Sequence, residues 1–192
     1  MKAEDSDKKL DDDQVDVVAD LDLLSARRSN MSIDTPITHK KRTTMTTNTI
    51  NLHRVLRAPA QRVYRAFLDA GAMAKWLPPY GFTCQVHHMD AQVGGTFRMS
   101  FTNFTTGNGH SFGGEYLELI ANERIRYTDK FDDPNLPGEM QVTVTLTTVL
   151  CGTEISIVQE GIPAIIPAEM CYLGWQESLA QLATLVEPEI PD

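Results

Sequence analysis

Apolar and polar residues change period three times along this chain, and each change marks an architectural boundary. Ile50, Leu52 and Leu56 fall on one side of an extended segment, with Asn51, His53 and Arg57 on the other. Pro59 then stands where a first helical turn tolerates proline, and Val63, Ala66, Phe67 and Ala70 follow at helical spacing. Gly71 is expected to break that helix. A second short helix carries Met73 and Trp76 and stops at Pro78-Pro79.

After Gly81 the period becomes two. Phe82, Cys84 and Val86 alternate with Thr83, Gln85 and His87, and Phe97, Met99 and Phe101 alternate with Arg98, Ser100 and Thr102. Gly94-Gly95 and Gly107-Asn108-Gly109 read as turns, and Gly113-Gly114 as a bulge or a close backbone approach. Ile125, Tyr127 and Phe131 define the next strand, and a Pro- and Asp-rich loop follows it. Val142, Val144 and Leu146 alternate with threonines, and Cys151-Gly152 turns the chain into Ile155 and Ile157. Beyond Pro167 the helical period returns, with Cys171, Trp175, Leu179, Leu182 and Val186 on one stripe.

The predicted order is strand, two short helices, six strands, long helix. Six consecutive strands joined by tight turns make an antiparallel meander, and its apolar face needs a cover. Only the last helix is long enough to supply it. The fold class is therefore α+β, a helix-grip arrangement: a curved antiparallel sheet of about seven strands around a long C-terminal helix. Residues 48–192 form this domain. Residues 1–47 read as a weakly ordered extension, acidic to Leu24 and basic from Ser25 to Met45, or as the product of a start upstream of Met31 or Met45.

Several short segments, in this order and spacing, resemble the START-like (SRPBCC) superfamily. The similarity is to its branch containing the C-terminal domain of the activator of heat-shock-protein-90 ATPase. They are Arg57-Ala58-Pro59 leading into Val63-Tyr64-Arg65-Ala66-Phe67, Trp76, Gly94-Gly95-Thr96-Phe97-Arg98, Gly113-Gly114-Glu115-Tyr116, Gly152-Thr153 and Gly174-Trp175-Gln176-Glu177-Ser178-Leu179. The resemblance implies an apolar cavity between sheet and helix. It does not imply chaperone activity, because the short polar extension does not replace the co-chaperone's separate N-terminal domain.

Trp76, Phe97, Met99, Phe101, Tyr116, Tyr127 and Trp175 are the candidates for lining such a pocket, which is ordinarily apolar with few polar groups. They equally suit plain core packing. His87 and His88 point to opposite faces of a regular strand. The alternation of Phe82, Cys84 and Val86 predicts that His88, with Asp90, faces inward as a candidate base and its orienting partner. Glu115, Asp129 and Glu160 are carboxylates whose burial would raise their pKa.

The chain carries a net charge of −9. An acidic body repels a phosphate backbone, which argues against broad nucleic-acid binding. Cys84, Cys151 and Cys171 lie far apart without zinc-site spacing, and read as reduced cytoplasmic thiols. No apolar run reaches the roughly 18 residues of a membrane span, and no cofactor or metal motif is present.

The expected function is binding of a small hydrophobic or aromatic ligand. A cyclase- or hydrolase-like enzyme and a co-chaperone-like interaction module are the alternatives. The composition allows a homodimer without requiring one.

Overall fold

A computed structural model of the chain describes residues 47–190, which belong to one compact unit. The segment read as an extension lies outside the described residues except at its last position. The elements follow the expected order: β1 (Thr47–Leu56), α1 (Ala60–Leu68), α2 (Ala70–Trp76), β2 (Phe82–Met89), β3 (Thr96–Asn103), β4 (Gly109–Ile120), β5 (Arg124–Phe131), β6 (Met140–Val149), β7 (Gly152–Pro163) and α3 (Ala168–Val186). The strands form one curved, unclosed antiparallel sheet in the order β1-β7-β6-β5-β4-β3-β2. Only β1 departs from sequence order, because the first strand pairs with the last.

The helical boundaries have local causes. Pro59 precedes α1, which buries Val63, Ala66 and Phe67. The break between α1 and α2 falls at Asp69, not at Gly71. Asp69 is extended (φ −103°), and its carboxylate accepts the Ala72 N–H at 2.8 Å, so it caps α2. Gly71 sits inside the first turn of that helix. Pro167 opens α3, whose buried positions are Trp175, Ser178, Leu179, Leu182, Ala183 and Val186. Cys171, on the predicted stripe, is only half-buried.

Several glycines are demanded by close backbone approach, and the tightest case is Gly114. A methyl on Gly114 would collide with the Thr128 carbonyl oxygen across the β4–β5 pair. Gly114→Ala is therefore expected to force the two strands apart at a cost of about 1–3 kcal/mol, measurable by urea unfolding. An unchanged midpoint would contradict the close approach.

The C-terminal half of α3 is fixed on the helical side of the domain. Arg62 Nη1 donates to the Val186 carbonyl at 2.9 Å, and Arg57 lies 3.4 Å from Glu187. Its middle is tied to the segment after α2. Ser178 Oγ lies 2.6 Å from the Leu77 carbonyl oxygen, Gln181 donates to the Pro78 carbonyl, and the Glu177 carboxylate accepts the Tyr80 N–H at 2.9 Å. These ties fix where the N-terminal half of α3 stands above the sheet, and a cavity remains beneath it. Among the described residues no helix is long and apolar enough to cross a membrane.

Candidate functional site

The cavity has a volume of about 340 Å3 and lies between the inward faces of β2–β7, the end of α2 and the first turns of α3. Its walls are alternate residues of successive strands: Phe97 and Phe101 of β3, His110 and Phe112 of β4, Tyr127, Asp129 and Phe131 of β5. The α3 side is supplied by Met170, Cys171, Gly174, Trp175 and Ser178, which recur at three- and four-residue spacing. Aromatic edges meet ring faces along the sheet wall, with Phe101 and Phe112 centroids 4.8 Å apart and Phe97 and Tyr127 5.6 Å apart.

Of the seven aromatic and methionine candidates, Phe97, Phe101, Tyr127 and Trp175 line the cavity. Trp76, Met99 and Tyr116 do not, and are buried in the core. Trp76 packs edge-on to Phe67 at 4.7 Å and donates its indole N–H to the Ala66 carbonyl at 2.9 Å.

The expectation for His88 is overturned by a bulge. The β2–β3 register shifts between Val86 and His88, so Val86 pairs with Met99 and Met89 with Phe97. The extra residue moves Met89 to the core side and leaves both histidines outside. His88 is exposed, and His87 Nε2 lies 2.9 Å from Ser100 Oγ on the outer surface. Asp90 lies in the turn beyond β2, where its carboxylate accepts from Gln92 Nε2 at 2.8 Å. Neither His88 nor Asp90 reaches the cavity.

The polar groups that do reach it are others. Gln159 of β7 accepts the Trp175 indole N–H at 2.7 Å and the Cys171 thiol at 3.3 Å through Oε1, while its Nε2 points at Met140 Sδ, 3.3 Å away. Glutamine thus fixes the orientation of the tryptophan at the α3 wall. Burial pushes the Cys171 thiol up to about 11, with the charge of Asp129 adding to the effect, so it is protonated and unreactive at neutral pH.

Asp129 is the unusual member. Among the three carboxylates singled out from sequence, Glu115 and Glu160 are exposed. Asp129 stands on the inward face of β5 between Tyr127 and Phe131. Its Oδ1 is shielded from solvent and has no hydrogen-bond partner. The residue as a whole counts as half-buried, because other atoms of it border the cavity space. Burial raises its pKa from 3.8 to about 7, against a smaller downward pull from the Lys130 backbone. Tyr127 beside it is pushed up as well, first by burial and then by the Asp129 charge. His110, among the rings of Phe101, Phe112 and Phe131, is pushed down by burial. Among the described residues, no lysine or arginine lines the cavity. Among the described residues, no three histidine, cysteine or acidic side chains are grouped to hold a metal ion.

The alternation Ile125, Tyr127, Phe131 skips Asp129, and that gap was the signal for an inward carboxyl. Ile155 and Ile157 similarly point to Gln159 as the next inward position.

The family model of Activator of Hsp90 ATPase homolog 1-like proteins matches residues 57–187. The chain belongs to this family. Its fold is START-like, and the matched span holds every cavity-lining residue. A crystal structure of a protein from Chromobacterium violaceum is 64% identical, with a TM-score of 0.73 over 74% of this chain and 99% of that one. A Rhodobacter sphaeroides protein (19% identity, TM-score 0.64, covering 71% and 90%) shares the fold. So does an AHSA1-like protein from Aeromonas hydrophila (20%, 0.60, covering 73% and 92%). No curated protein matches the chain.

Proposed function

We propose that this family member binds a small, largely apolar molecule in the cavity beneath α3. The observation that carries the reading is the cavity itself: about 340 Å3, walled mainly by aromatic and aliphatic side chains, with Asp129 and Gln159 as sparse polar contacts. Small-molecule sites have this size and composition, and START-like folds commonly hold hydrophobic ligands. A co-chaperone-like module would call for a filled core beneath an exposed apolar patch, and the open space under α3 weighs against it. The half-buried, protonated thiol of Cys171 suits a reducing cytoplasm.

Gly174 supplies the test. It lines the cavity from α3, and a Cβ built on it meets no atom within 4 Å. Gly174→Leu should project a side chain into the space without displacing the wall, and should also raise helix propensity by nearly 1 kcal/mol. The neutral fluorophore N-phenyl-1-naphthylamine is expected to bind the natural protein one-to-one. Gly174→Leu should abolish that binding while the melting temperature holds or rises. Undiminished binding to Gly174→Leu would place the dye elsewhere and defeat the reading.

One observation favours an enzyme as the second reading. Asp129 and His110 line the same cavity, and a carboxyl with a pKa of about 7 is tuned for general acid–base work. Among the described residues no side-chain hydrogen bond joins them. Conversion of a cavity-bound compound by the natural protein, lost in Asp129→Asn, would promote this reading over simple binding.

A further inference from the structure

We infer that the ligand is an amine, whose ammonium group pairs with the Asp129 carboxylate while its apolar body lies among the aromatic walls. This rests on the cavity being a ligand site and adds the chemical class of its occupant. Three observations converge on it. Asp129 lines the cavity while its Oδ1 is buried without a hydrogen-bond partner, and an unsatisfied carboxyl oxygen beside such a space is costly until a donor reaches it. Among the described residues the lining holds no lysine or arginine, so none of them would neutralise a carboxylate or phosphate ligand, and Asp129 would repel one. The aromatic side chains of Phe97, Phe101, Tyr127 and Trp175 line the same space, and aromatic rings attract cations.

The remaining titratable groups facing Asp129 do not compete for that role. Tyr127 on its own strand and Cys171 on α3 are both held protonated, and His110 on β4 is biased towards its neutral form. From β6 and β7 the facing side chains are the neutral Met140 and Gln159. An entering ammonium therefore meets one carboxyl and no fixed positive charge.

Binding must then be linked to a proton. The empty site holds Asp129 at a pKa of about 7, so near neutrality about half the carboxyls are protonated. The ammonium selects the ionised form, releases that fraction of a proton, and binds more tightly as pH rises from 6 to 8.

The test compares three probes of one shape by titration calorimetry: 4-phenylbutylamine, 4-phenyl-1-butanol and 4-phenylbutyrate. At pH 8 the amine is expected to bind at least about tenfold more tightly than the alcohol, as a charge-assisted contact warrants, with the carboxylate weakest. Asp129→Asn should erase the amine's advantage over the alcohol. At pH 7, buffers of differing ionisation enthalpy should reveal about half a proton released per amine bound and none for the alcohol. This readout uses the natural protein and does not depend on the variant folding. Equal binding of amine and alcohol at pH 8, or tightest binding of the carboxylate, would overturn the amine assignment. Alcohol binding would meanwhile keep the cavity as a ligand site. If no probe binds, the cavity reading itself falls.

Discussion

Asp129→Asn is expected to stabilise the unliganded domain progressively as pH rises, by up to about 4 kcal/mol at pH 8 relative to its effect at pH 4. The sign follows from the direction of the shift. In the folded chain Asp129 titrates near 7, and in the unfolded chain near its ordinary 3.8. Below pH 4 both states are protonated and the carboxyl has no pH-dependent effect. Between pH 4 and 7 the unfolded chain ionises first, which favours unfolding. Above pH 7 both are ionised, and the folded state carries the whole desolvation penalty. Asparagine cannot ionise, so its unsatisfied amide costs the same at every pH. Urea midpoints for both proteins across this range check it. A difference that stays flat from pH 4 to 8 would show that Asp129 is solvated in the folded state.

The second large effect separates core from cavity wall. Trp76 is fully buried, packed edge-on against Phe67 and hydrogen-bonded through its indole to Ala66. Trp76→Ala is expected to cost about 3–5 kcal/mol and to unfold a domain of ordinary stability near physiological temperature. Phe101 is half-buried against open cavity space, so Phe101→Ala removes fewer contacts and is expected to cost about half as much. Guanidinium unfolding of the two variants measures the contrast. Equal losses would mean that the space beside Phe101 is closed.

The architecture was legible because its signals are strong and local. Period-two patterns in the strands, strict in β6, with glycine-marked turns and the stripe from Trp175 to Val186, leave one economical arrangement. The two misplacements came from features that periodicity cannot register. A bulge at His87-His88 inserts a residue without changing composition, so counting by twos carried His88 to the wrong face. Glycine alone points to a break between α1 and α2 at Gly71, whereas the Asp69 carboxylate starts the second helix by satisfying a free N–H.

The site was only half legible for another reason. An apolar residue on an inward face can belong to packed core or to cavity wall, and the difference is set by how far α3 stands from the sheet. That distance depends on the ties from Ser178 and Gln181 to Leu77 and Pro78, which join segments about a hundred residues apart. Trp76, Met99 and Tyr116 consequently read like Phe97, Phe101 and Tyr127. The polar residues were better marked. Asp129 and Gln159 interrupt runs of inward apolar positions, and such an interruption is the more telling sequence feature.

Native mass spectrometry of the full-length protein purified from its own host, alongside Gly174→Leu prepared in the same way, tests the ligand cavity most directly. The natural protein is expected to carry a non-covalent adduct of small-molecule mass at one per chain, and Gly174→Leu to emerge without it. An identical adduct on both proteins, or none on either, would contradict a ligand seated between the sheet and α3.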